Sequence, residues 1–243
     1  MVLARQILFL LLFLLSVLFS CSKSTKHEKY QLPPGAHREA SVIALYLSGE
    51  LEASESLTNK VLRELAAIRS AFGNDFPITC LEFLPPWVVA CVIVAFDDTT
   101  HEKVVAGNYH AWDQLNDWCQ VTRIDIHEVT CYSYVALYFE RLLHPSRLAE
   151  LYGTLPGVIH SDASRLDGDW PNLYPRMMHS AITYLFRYAW GDCMAGCIYN
   201  EYWYFIFEGD QPVFVGHWAP DEDPNEPDWW EEARQNEEAY RRW

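Results

Sequence analysis

Positive charge is scarce in this chain: 18 Lys and Arg stand against 33 Asp and Glu over 243 residues, a formal net charge of −15. A phosphate backbone needs a cationic footprint, so the balance argues against a nucleic-acid partner, and an anionic membrane surface is disfavoured for the same reason. Catalytic motifs are missing as well. There is no Gly-x-Ser-x-Gly elbow, no Gly-rich phosphate loop after a strand, no His-Glu-x-x-His helix and no repeated Cys-x-x-Cys pair, so no cofactor is expected. The chain shows no internal repeat. Disorder as the main state is excluded by composition, since half the residues are hydrophobic and 15% are aromatic. Such a length suits one ordinary domain or two small ones, with a real core.

The N-terminus reads as an address. Arg5 is followed by an apolar stretch from Ile7 to Leu18, broken only by Ser16, and then by Phe19, Ser20 and Cys21. That is a secretory signal over residues 1–20, too short for the roughly 20 residues of a bilayer-spanning helix. Leu18-Phe19-Ser20-Cys21 resembles the lipobox of bacterial lipoproteins, with Phe19 where that family usually carries a small residue. The resemblance implies acyl groups on Cys21 and, with Ser22 rather than Asp after it, release to the outer membrane facing the periplasm. Two or more acyl chains suffice for stable attachment. Residues 21–45, with Lys23, Lys26, Lys29 and two prolines, read as the lipidated Cys and a tether. Setting Cys21 aside leaves six cysteines, and an exported compartment lets disulfides persist. Their spacing predicts the local pairs Cys80–Cys91, Cys119–Cys131 and Cys193–Cys197, with buried thiols as the alternative.

The expected fold class is α+β. Leu57, Val61, Leu65, Ile68 and Phe72 recur at helical spacing, so an amphipathic helix is expected before the core. Trp87 to Phe96 is a Val-rich apolar run that reads as a central buried strand. A helical pattern to Cys119 follows, then strands near Val121 to Val129 and Cys131 to Glu140, a helix opened by Pro145, and a return strand from Val158 to Ser161. Strand, helix, strand, strand, helix, strand is the ferredoxin-like βαββαβ order. That region is placed at 46–175. Residues 176–243 read as an aromatic-rich antiparallel meander of three strands, Ala181 to Trp190, Ile198 to Phe207 and Val213 to Trp218, closed by a short acidic helix. The segment Arg147 to Tyr152 with Leu155-Pro156-Gly157-Val158 resembles the second helix and last strand of the inhibitor-like propeptides of subtilisin-type proteases. The likeness implies fold, and protease inhibition only by analogy.

Several groups qualify as candidate sites. Gly191-Asp192-Cys193-Met194-Ala195-Gly196-Cys197, set between two aromatic strands, reads as a cystine-closed loop. It resembles a motif in uncharacterised bacterial envelope proteins, which implies no activity. A redox role for Cys193 and Cys197 is the lesser alternative, because thioredoxin-type sites have two intervening residues rather than three. Asp97, Asp98, His101, Glu102 and His110 carry the ligand types of a metal site, yet they also read as a strand end and turn, and no metal is assigned. Asp167-Gly168-Asp169 reads as a turn. Tyr199, Tyr202, Trp203, Tyr204 and Phe205 can form a sugar-stacking platform or a core. Trp229-Trp230 can dock a partner or pack on its own sheet. Together these features favour a non-enzymatic envelope lipoprotein acting through a protein partner, with a hydrolase or carbohydrate-binding protein using carboxylates near an aromatic cleft as the alternative.

Overall fold

The amphipathic segment after Ser54 forms a helix because its apolar positions fall on one stripe, and Ser54 Oγ caps it by accepting from the Leu57 N–H. In the computed structural model, which describes residues 35–85, 87–129, 132–165, 172–193 and 196–240, this helix is α2 (Glu55–Phe72). It follows α1 (Ala36–Ser48) and leads into a 3₁₀ turn (Pro77–Cys80). The tether therefore does not extend to residue 45. Ala40, Val42, Ile43, Ala44 and Leu45 are buried in α1, which starts directly after Gly35.

The first sheet is ferredoxin-like. β1 (Trp87–Phe96) is followed by α3 (Asp98–Val105) and α4 (Asp113–Cys119), then β2 (Val121–Val129), β3 (Tyr132–Phe139), α5 (Pro145–Gly153) and β4 (Val158–Arg165). The strand order is β2-β3-β1-β4 with every pair antiparallel. β1 and β2 thus run the same way with β3 between them, the split βαβ arrangement. Its core lies under the helices, where Val92, Val94, Phe96, Val135 and Leu137 meet Trp112, Leu148 and Tyr152.

The second sheet is a meander of four strands, not three: β5 (Leu173–Met178), β6 (Ala181–Trp190), β7 (Tyr199–Glu208) and β8 (Gln211–Trp218), in that order. A boundary at residue 175 falls inside β5, whose Pro175 is tolerated because the strand is an edge. Alternate residues of β6 face opposite layers. Ile182, Tyr184 and Phe186 pack under α1 and α2, whereas Leu185 faces α6 (Trp230–Tyr240) with Tyr202, Tyr204 and Trp230. Asn236 pins α6 to the sheet by donating to the carbonyls of Tyr174 and Thr183, at 2.9 and 3.2 Å. The two halves meet through β1. Its register shifts between Trp87 and Val92, where Ala90 has φ 56°, and Trp87 and Val89 turn into the cores of the second sheet.

One buried ion pair ties the layers. Arg69 of α2 meets both carboxylate oxygens of Glu39 of α1 at 2.7 Å. It also donates to the carbonyls of Thr79 and Leu81, and Glu39 accepts from the Phe83 N–H. Both side chains are about as dry as the core, at 2% and 3% exposed. Replacing Glu39 by Ala leaves the guanidinium buried without its counter-charge, which costs about 3 to 5 kcal/mol; a urea unfolding midpoint reads the loss. His144, fully buried at the start of α5 with its ring 5.1 Å from that of Trp87, is held to a pKa of about 4 by burial and by Arg147. Between the ordinary 6.5 and about 4 the unfolded chain takes up a proton that the folded chain refuses. The stability that neutral His144 contributes is therefore complete above that window and is lost as pH falls through it, by about 3 kcal/mol in all. Urea titrations across the window should show this loss in the natural chain and not in a His144→Gln chain.

Candidate functional site

The cysteines divide by environment rather than by spacing. Cys193 and Cys197 are bonded, with Cα atoms 3.9 Å apart, and close the β6–β7 connection. Cys80, Cys91 and Cys119 are free thiols, which corrects the other two expected pairs. Cys80 is exposed beside Gly73 at the end of α2, its Sγ 4.0 Å from the Gly73 oxygen. Cys91 is buried in the middle of β1, opposite Tyr138, and is turned towards Ser164 and Arg123. Cys119 is buried at the end of α4 against Tyr152. Burial pushes the Cys91 and Cys119 thiols up, so they stay protonated. Cys131, Cys21 and Asp167-Gly168-Asp169 lie outside the described residues.

The acidic group after β1 is used for structure. Asp97 caps α3 by accepting from the Thr100 N–H at 2.7 Å, and this bond holds its carboxyl below the usual range. His110 pairs with Asp113 at 2.9 Å. Among the described residues no three His, Cys, Asp or Glu side chains converge as metal ligands.

The aromatic platform is split by the strand's own alternation. Tyr202 and Tyr204 face α6, where the Tyr202 ring lies 4.7 Å from that of Trp230 and Tyr204 donates to Glu232 at 3.0 Å. Phe205 is in the opposite core. Trp229 and Trp230 pack on their own sheet: Trp230 is buried, and a Cβ on Gly216 would stand 2.2 Å from Trp229 Nε1. Tyr199 and Trp203 remain on the α2 side, joined by Tyr188, Trp190, Glu201 and His217, with Glu201 and His217 3.3 Å apart.

A cleft of about 410 Å³ lies where α2 passes the β7–β8 turn, lined by Lys60, Arg63, Glu64, Phe207, Gly209 and Asp210. Glu64 accepts from the Tyr184 hydroxyl at 2.8 Å, and burial raises its pKa. Lys60 stands 3.7 Å from Glu64 and donates to the Ser180 carbonyl. Such a carboxyl can hold a proton for a ligand in the cleft, with Asp210 as a second carboxylate on the rim. Residues this far apart in sequence gave no linear signal.

Edge strand β2 is a further opening. Ile124 and Ile126 share the face of the buried Leu137 and Val135, yet each is 41% exposed. On the other face Arg123 lies 3.7 Å over the Tyr138 ring and 3.1 Å from Asp125, and His127 stacks on Tyr134. No protein family, curated protein or solved structure matches the chain. No helix among the described residues is long and apolar enough to cross a membrane.

The thiol environments are directly readable. Alkylation of the native protein followed by peptide mapping should label Cys80 alone among the described cysteines. Cys91 and Cys119 should react only on unfolding, and Cys193 and Cys197 only on reduction.

Proposed function

We infer that the chain is a non-enzymatic interaction module of the bacterial cell envelope, held by acyl groups on Cys21 at the outer membrane, facing the periplasm. It takes a protein partner along β2. The observation that carries this reading is the edge of the first sheet: nine residues whose outer side pairs with no strand among the described residues, and two half-exposed isoleucines. A long exposed edge is a template for another strand, and adding one supplies main-chain hydrogen bonds together with pockets for alternate side chains. Arg123, Asp125 and Glu128 along the same strand limit promiscuous pairing by charge.

The Glu64 cleft favours a second reading, an envelope hydrolase or carbohydrate-binding protein, because it brings two carboxylates to one opening and keeps one of them protonated more readily than usual. It lacks the Trp and Tyr lining that sugar stacking needs, and Lys60 is already engaged by Glu64 and Ser180. A redox role has less support, since the Cys193–Cys197 bond closes a hairpin end rather than a helix start.

The test uses the full chain expressed in a bacterium with its own leader. Intact mass should begin at Cys21 with acyl additions. A photo-crosslinking residue at Ile126 should give one discrete protein adduct that is lost in an Ile124→Asp chain, with stability changed by about 0.5 kcal/mol or less, as for other surface substitutions. An unacylated chain, or no adduct, would remove the reading.

A further inference from the structure

The hairpin joining β6 to β7 holds four large apolar side chains in water. Tyr188 is 49% exposed, Trp190 37%, Ile198 60% and Tyr199 42%. Trp190 and Tyr199 are opposite in register with rings stacked 5.5 Å apart, and the Tyr188 ring lies 5.3 Å from that of Trp190. The end is stiff. The Cys193–Cys197 bond closes it, and Gly191, at φ 102°, lets Ile198 approach so closely that a Cβ would meet it at 3.0 Å. Its sequence from Gly191 to Ile198 has no Lys or Arg, and Asp192 is its one charge.

Rigid rings with polar ends, an aliphatic tip and no cation fit the interface of a zwitterionic bilayer. There the ring bodies and Ile198 enter the acyl boundary while the Tyr hydroxyls and the Trp N–H stay among headgroups. Anionic polymers are repelled by the net charge of −15. A sugar chain stacks on rings but gives Ile198 nothing to do.

Position supports the same occupant. Glu39, in the first turn of α1, accepts from the Phe83 N–H; the Leu84 N–H donates to the Asn172 side chain; and the Arg187 N–H donates to the Asn172 carbonyl. Those contacts put the start of α1, where the N-terminal segment enters the domain, at the same end of the second sheet as Tyr188 and Trp190. The thirteen residues between Cys21 and Gly35 can extend at most about 45 Å. A domain anchored through Cys21 is therefore kept within about that distance of the bilayer, and the chain enters it at this end of the second sheet.

We propose that the β6–β7 end, through Trp190, Ile198 and Tyr199, is a second membrane contact that seats the anchored domain on a zwitterionic lipid surface. The proposal rests on the lipid-anchored reading above. Its test is reconstitution of the full acylated chain into phosphatidylcholine vesicles, plain or brominated in the upper acyl chain, read by vesicle flotation and by Trp emission. The natural chain should float and lose emission to bromolipid. In a Trp190→Phe chain at least about half of that loss should disappear, and in an Ile198→Asp chain it should fall likewise, while both still float. Flotation with equal quenching in all three chains would overturn the membrane contact and leave the anchor standing. Failure of the natural chain to float would overturn the anchor and the contact with it. Emission of Trp190 shifted by soluble glycan strands and unaffected by bromolipid would reassign the end to a sugar.

Discussion

Arg69 donates two hydrogen bonds to the Glu39 carboxylate in a site from which water is almost wholly excluded, and four separate segments depend on the arrangement. α1 and α2 supply the charges, the 3₁₀ turn supplies the Thr79 carbonyl, and the approach to β1 supplies the Leu81 carbonyl and the Phe83 N–H. A buried ion pair gains little over an apolar pair of the same volume unless its remaining donors and acceptors are met. Here the carbonyls and the amide meet them. That requirement fixes the rotation of α1 on α2 and the path of the chain into β1, and through it the position of the second sheet against the first.

Strand alternation then decides which aromatic residues are core and which are surface. β6 and β7 lie between helices on both sides, so even an all-aromatic strand is buried on both faces over most of its length. Cover runs out at the β6–β7 end, beyond the pairing of Leu173, the first residue of β5, with Phe186. From Tyr188 onward the same alternation that fills the core leaves rings in water. No separate sequence feature marks that change, because it is set by the length of β5 and the reach of α2.

Segments with one buried face were legible in the sequence. Val61, Leu65 and Ile68 announced α2, and the Val-rich run announced β1, because contrast between faces is what periodicity detects. The βαββαβ order followed from punctuation by Gly, Pro and Asp. α1 was missed for the opposite reason: Ala40 to Tyr46 includes no exposed residue except half-buried Ser41, so it shows no contrast to read. β5 was missed because Pro175 reads as a breaker unless the strand is known to be an edge. Cysteine spacing misled where it ignored burial. Cys91 and Cys119 are free thiols buried in or against the first sheet, so an even count is no argument for lipid on Cys21. The Glu64 cleft and the β6–β7 end depend on residues brought together by packing, to which a linear reading is blind.

The one disulfide among the described residues stands beside four exposed large apolar side chains. Within the core, each free thiol is fixed by its neighbours, and a bond would add little. At the β6–β7 end no helix among the described residues covers the rings, and the strand ends are held by the β6–β7 ladder and the Cys193–Cys197 bond. Closing a five-residue ring removes unfolded-state freedom equivalent to about 2 kcal/mol, roughly what burying one large apolar side chain contributes elsewhere. The bond thus stands in for the missing layer. It closes the end of the ladder in which Trp190 pairs with Tyr199.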